Sequence, residues 1–201
     1  VKLPDSFRRL VAALDSLPEV GPVSAKRIAE RLVFEREKRE NLIEALRGLD
    51  RITLCRRCRV ITDEEVCEVC RDESRERRIM VVLSPFDVYR VEESGRYHGK
   101  YFVLYRLLSV TDGVMPEDLP VEEFQKMVKE ERAEEIIFAL PNEVKAHVTA
   151  HYLIEGLEGI RITRLPSGVP RGASVSSLDP YTLAEALEHR VPFEEEEKGG
   201  G

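Results

Sequence analysis

The sequence predicts an α/β protein: a short helical region, a four-cysteine module, then a sheet of parallel strands crossed by helices. Three observations predict it. Apolar residues recur at helical spacing over roughly the first fifty positions. All four cysteines fall between Cys55 and Cys70, as two C-x2-C pairs. Beyond them, apolar strand-like runs alternate with helical patterns, the order expected of a parallel sheet.

The first helix is DSFRRLVAALDSL, residues 5–17. Phe7, Leu10, Val11, Leu14 and Leu17 share one face, Asp5 or Ser6 can cap the start, and Pro18 stops it. The loop PEVGP leads into VSAKRIAERLVFERE, with Ile28, Leu32 and Val33 as its apolar stripe. A third helix is expected at about 40–50, on Leu42, Ile43, Leu46 and Leu49. After the cysteines, Ile79-Met80-Val81-Val82-Leu83 reads as a buried strand and PFDVYRVEES as a helix. Strands at 101–105, 135–140 and 160–165 then alternate with helices at 121–131 and 143–156. A last helix is expected at 180–190. The closing VPFEEEEKGGG shows no period and reads as a disordered tail, its GGG an expression remnant. The expected divisions are a helical region 1–53, a cysteine module 54–72, an α/β domain 79–177, a C-terminal helix 178–191 and a tail 192–201. No internal repeat is visible.

A chain of 201 residues can bury a core in one or two domains. It has no apolar run of about 18 residues and no signal-peptide core in VKLPDSFRRL, so a cytoplasmic protein without a membrane span is expected. The high charged fraction and absence of Trp suit a thermophile or a redesigned surface. Residues 1–60 carry a net +5, which leaves −12 on the remainder of a chain of net charge −7. A basic N-terminal part on an acidic body points to a localised polyanion contact; a solvated helix face is the plain alternative.

The cysteines are spaced C-x2-C, eight residues, C-x2-C. Each pair can turn two thiolates toward one ion, and two pairs close a tetrahedral sulfur shell that suits Zn²⁺. Four protein ligands leave no position for a reacting water, so such a site is structural. The rivals are two disulfides, which would need an oxidising compartment, or a redox pair, with an iron–sulfur cluster a minor alternative.

The segment PEVGPVSAKR resembles a helix-hairpin-helix loop, in which N–H groups at a helix start meet a nucleic-acid phosphate. The usual loop reads Gly, apolar, Gly; here it reads Glu19-Val20-Gly21. A plain αα-hairpin used for packing is the other reading. Arg8, Arg9, Lys26, Arg27 and Arg31 are the candidate DNA contacts, on charge and placement.

The order of hairpin, four-cysteine site and small parallel α/β domain resembles the RecR family of bacterial recombination mediators. The likeness runs from LDSLPEVGPVSAKRIAERL through CEVCRDESRER, ESGRYHGKYFVL and DGVMPEDL to SGVPRGASVSSLDPYTLAEALEHR. It implies a helix-hairpin-helix, a four-cysteine zinc finger, a Toprim-type parallel α/β domain and a C-terminal helix. It also implies a homotetrameric ring that surrounds DNA in repair and assists recombinase loading with RecO and RecF, without catalysis. Under it Cys55, Cys58, Cys67 and Cys70 hold one structural zinc and Arg27 meets phosphate, with Lys26 expected to join it on the same helix face.

The departures are specific. Val23 stands where the family usually has lysine, while Lys26 stands where a neutral residue is common, one turn away. A Toprim site needs carboxylates at the ends of neighbouring strands to hold Mg²⁺. The family's VVEEP is Val81-Val82-Leu83-Ser84-Pro85, its NPTVEGEATA is residues 141–150 with Lys145 and His147 at two acids, and its GGELEY becomes residues 172–177. Asp179 remains. The acidic face is also where the family is expected to meet RecO. The departures argue against a Toprim nuclease or primase. They keep a second possibility open: a RecR-fold oligomer, a diverged paralogue or redesigned chain, with DNA and partner binding lost or altered.

Three smaller motifs remain. His147 and His151 have i, i+4 metal-ligand spacing, but HVTAH lacks the glutamate of HExxH, so surface or packing histidines are the favoured reading. Residues 167–172 loosely resemble a phosphate loop without its GKS or GKT ending and read better as a turn. Ser84, Ser109 and Ser174 have no nucleophile context.

Overall fold

The computed structural model describes residues 2–166 and 175–193. The chain forms two compact units, Val1–Ile52 and Thr53–Gly201.

The first unit is helical. α1 (Asp5–Asp15) and α2 (Pro22–Phe34) pack together as an αα-hairpin, and α3 (Arg36–Gly48) follows after Glu35 alone. The expected stripe on α2 is corrected here. Ala25 and Ala29, one turn apart, are the buried residues, whereas Ile28 and Val33 are exposed. Small side chains on that face let the helices approach closely and turn the larger ones outward. α3 begins at Arg36, some four residues before the expected start. Its first turns, REKRE, are polar and show no apolar period, so their helicity is invisible to pattern reading.

The second unit opens with an antiparallel hairpin, β1 (Thr53–Leu54) and β2 (Ile61–Thr62), and the single turn α4 (Glu68–Arg71). A five-stranded sheet follows: β3 (Arg78–Val82), β4 (Lys100–Val103), β5 (Glu135–Ala139), β6 (Arg161–Arg164) and β7 (Val191–Pro192), in the order β4-β3-β5-β6-β7. The first four run parallel, and β7 pairs antiparallel with β6. The crossovers are α5 (Pro85–Ser94), α6 (Val121–Glu130) and α7 (Val144–Ile154); α8 (Pro180–Glu188) precedes β7. In register, Val81 lies between Phe102 and Phe138, all buried. Central parallel strands buried on both faces read as continuous apolar runs, which is why β3 and β5 are legible in the sequence.

The disordered tail expected from residue 192 is corrected at its first two residues; residues 194–201 lie outside the described residues. Val191–Pro192 extends the sheet and Phe193 is buried, its ring 5.0 Å from that of Phe138 and tilted against it. A two-residue edge strand containing proline has no period to reveal it, and the partners of Phe193 come from distant segments. The phosphate-loop-like residues 167–172 and Ser174 lie outside the described residues.

Candidate metal centre and nucleic-acid hairpin

The four cysteines come together. The β1–β2 hairpin presents Cys55 and Cys58, Cys67 stands at the N-cap of α4, and Cys70 lies within its turn. All four are buried, and their sulfur atoms lie within 4.8 Å of one another. Cys58 Sγ and Cys67 Sγ are 3.5 Å apart. A tetrahedral zinc with bonds of about 2.3 Å needs sulfur–sulfur edges of about 3.8 Å, so the donor set fits one zinc ion. The knuckle is built by backbone bonds: Arg59 N–H donates to Cys55 O and Cys55 N–H to Val60 O, each at 2.8 Å. Arg59 adopts the left-handed φ of +65° that this turn demands. Hydrogen bonds from its neighbours, Cys58 first, push the Cys55 thiol down, whereas those with Cys55 push Cys58 and Cys70 up. Such crowded sulfurs need a cation to become thiolates together.

The finger is pinned to the sheet edge. Val103 N–H on β4 donates to Cys58 O at 2.9 Å, and Tyr105 OH donates to Arg59 O at 2.8 Å. Lys100, buried, pairs with Glu131 at 2.6 Å and donates to Cys70 O at 3.4 Å. Arg57 reaches the same Glu131 and the same carbonyl. Sequence reading misses the pairing of Lys100 with Glu131, because 31 positions separate them and no spacing rule links the two.

In the hairpin, Glu19 sits at φ +64°, a left-handed conformation ordinarily left to glycine. Gly21 is the N-cap of α2 and Pro22 its first residue. Neither gives a side-chain cap, so the N–H groups of Val23 and Ser24 point out of the helix start without a partner among the described residues. A Cβ at Gly21 would meet nothing within 4 Å. Lys26, Arg27 and Arg9 are exposed and make no ion pair among the described residues, whereas Arg8 pairs with Asp5 and Arg31 with Glu35.

The carboxyl ends of β3 and β5 hold no carboxylate cluster; among the described residues the cysteines are the one group arranged to hold a metal. Ser84 caps α5, accepting from Phe86 N–H. Asp87, which sequence reading passes over, is buried and accepts from Ser84 N–H at 2.9 Å and Ser176 N–H at 2.8 Å. Asp179 caps α8 through Tyr181 and Thr182. Lys145 pairs with Asp112, and Ser109 also holds Asp112. His147 and His151 both pack on Phe193, with ring centroids 5.5 and 5.3 Å away, and burial pushes the His147 imidazole down. Both contacts are those expected of packing histidines. Among the described residues no helix is long and apolar enough to cross a membrane.

Known proteins share both the finger and the sheet. Residues 77–166 match the Toprim domain, and residues 52–72 match the four-cysteine zinc-finger domain of RecR. The recombination protein RecR of Thermus thermophilus is 39% identical over 195 residues, covering 96% of this chain and 100% of that protein. The proteins of the same name from Rubrobacter xylanophilus and Acinetobacter baylyi are 40% and 37% identical, covering 92% and 93% of this chain and 96% and 97% of their own. A solved DnaG primase catalytic domain bound to ssDNA aligns with a TM-score of 0.42 and 15% identity, over 63% of this chain and 38% of that one, a likeness too low to carry an argument.

Proposed function

The chain belongs to the RecR family of recombination proteins, and from that premise we propose that it is a zinc-stabilised, ring-forming mediator that holds DNA and performs no chemistry on it. The observation that carries the reading is the α1–α2 turn. Glu19 keeps a glycine's backbone conformation, and Gly21 is open although nothing among the described residues requires a glycine there. The uncapped N–H groups of Val23 and Ser24 offer a phosphate the start of a helix dipole, with Lys26 and Arg27 beside it. The turn acts as a helix-hairpin-helix that reads backbone rather than sequence. Arg9 adds charge; Arg8 and Arg31 do so after leaving their carboxylates.

Assembly into a ring of four is supported by the helical unit itself. Leu17, Val23, Val33, Phe34, Leu46 and Leu49 are exposed there, apolar surface that contact with another copy would cover. The reading assigns 1–53 to DNA and self-association, 54–72 to zinc, 79–177 to the Toprim body and 178–191 to its closing helix, in a cytoplasmic protein. RecO and RecF are the proposed protein partners. The RecO contact would use a face where Asp87 and Asp179 are committed to caps, so it is the weaker partnership. Those commitments favour the non-catalytic role over a Toprim nuclease or primase.

The test is DNA binding across a salt series, with light scattering for mass. Intact oligomer with salt-sensitive affinity, and a salt slope reduced by about 2 in Lys26→Ala/Arg27→Ala, is the expected result. An intact oligomer without DNA affinity at low salt would establish the altered-binding reading instead.

A further inference from the structure

Three aromatic rings stand exposed beside the sheet, and the roles given above use only the Tyr105 hydroxyl and the Phe86 backbone N–H, not the ring faces. Phe86 and Tyr89 stand on the first turns of α5, just past the carboxyl end of β3, with ring centroids 6.4 Å apart and planes tilted by 58°. Tyr105 N–H donates to Leu83 O at 2.9 Å, which brings that residue to the same strand end. The three are 67%, 51% and 36% exposed. Tyr105 holds a left-handed φ of +67°, a costly conformation for a bulky residue, and its hydroxyl is anchored to Arg59 O. The ring is therefore fixed at the surface from both ends.

An unpaired cation adjoins it in sequence. Arg106 is exposed and makes no ion pair among the described residues. The nearby carboxylates Glu123 and Glu93 are already paired with Arg59 and Arg90. We propose that Phe86, Tyr89 and Tyr105 form a stacking platform for the bases of single-stranded DNA, with Arg106 taking a phosphate between them. The inference rests on the DNA-binding reading above and adds a second contact, on the second unit. Rings tilted by 58° cannot share one flat ligand, but successive unpaired bases of a flexible strand can each take a ring face. A duplex keeps its base faces stacked inside and has none to offer. The site lies at the carboxyl ends of parallel strands, where open α/β sheets meet their ligands.

The experiment uses the full zinc-loaded chain and three labelled probes: a dT oligomer, an abasic oligomer of equal length and a duplex. The variant is Phe86→Ala/Tyr89→Ala/Tyr105→Gly, in which glycine removes the third ring while suiting the positive φ. The wild type is expected to prefer dT over the abasic strand, and the variant to lose about tenfold or more of dT affinity while keeping its abasic and duplex affinities. With no Trp in the chain, quenching of tyrosine fluorescence by dT and not by the abasic strand is a second expected signal. Equal affinity of the wild type for dT and abasic strands overturns this inference and leaves the hairpin reading intact. No DNA affinity at all overturns both. A variant whose mass falls in light scattering, with dT affinity unchanged, assigns the cluster to contacts between copies and overturns it too.

Discussion

Glu131→Ala should destabilise the second unit by about 3 kcal/mol, because it strands the ammonium of Lys100. The side chains of this pair are 7% and 16% exposed and meet at 2.6 Å. Breaking a buried pair by removing one partner costs about 3–5 kcal/mol. The low end applies here, because Lys100 keeps the Cys70 carbonyl at 3.4 Å. The lost contact to Arg57, more exposed and 3.4 Å long, adds at most a few tenths of a kcal/mol. For a unit of this size that is a fall in melting temperature of roughly 6–12 °C. Lys100→Met should cost less, about 1 kcal/mol, because Glu131 retains Arg57 and a path to water. Combining Lys100→Met with Glu131→Ala should then cost less than the two together, with a coupling of about 1–2 kcal/mol. The assay is urea unfolding of zinc-loaded protein by circular dichroism, with thiol reactivity of the four cysteines read alongside. A Glu131→Ala cost below about 0.5 kcal/mol, or singles that add without coupling, would refute the pinning of the finger through this pair.

Three further outcomes follow from the geometry. Metal analysis should find close to one zinc per chain, and chelation should open all four thiols and lower the melting temperature; thiols that react in the zinc-loaded protein would contradict a closed shell. Burial pushes the Glu135 carboxyl up, but Arg190 and Thr163 outweigh it and hold it below the usual range. Its contribution is therefore full above the unfolded carboxylate range near about pH 4.3 and is lost as pH falls through the lower folded value, so Glu135→Gln should flatten the acid limb of stability against pH. Glu19→Gly should relieve the left-handed residue and remove a carboxylate from the phosphate approach, raising stability by up to about 1 kcal/mol and tightening DNA binding at low salt; weaker binding would place the phosphate elsewhere.

Legibility in the sequence follows the range of the contacts. The cysteine site is readable because its ligands sit in one segment and their spacing is the geometry. Strands β3 and β5 are readable because burial on both faces makes their composition uniform. Where local and distant forces compete, reading fails. Tyr105 has strand propensity and is expected to continue β4, but the strand ends at Val103 and the chain turns at a positive φ that no glycine announces. Phe193 reads as tail because its partners, Phe138, His147 and His151, are supplied by β5 and α7. The same contacts explain why the histidine spacing points toward a metal: an aromatic ring placed between two i, i+4 side chains produces that spacing equally well.

The exchanged acids show how a lost site differs from an empty one. Substitution alone would leave carboxylates such as Asp87 and Asp179 at the strand ends, available to an ion. The structure gives each of them backbone donors instead: Asp87 joins the start of α5 to Ser176, and Asp179 closes the first turn of α8. A carboxylate that accepts two N–H groups in this way cannot turn to a metal without leaving those donors unpaired, at a cost comparable to what the ion would return. Lys145, at one of the exchanged positions, meanwhile neutralises Asp112. At Asp87 and Asp179, fold stability and metal chemistry thus compete for the same oxygens. That competition, more than the count of exchanged glutamates, is the physical argument behind the proposed non-catalytic role.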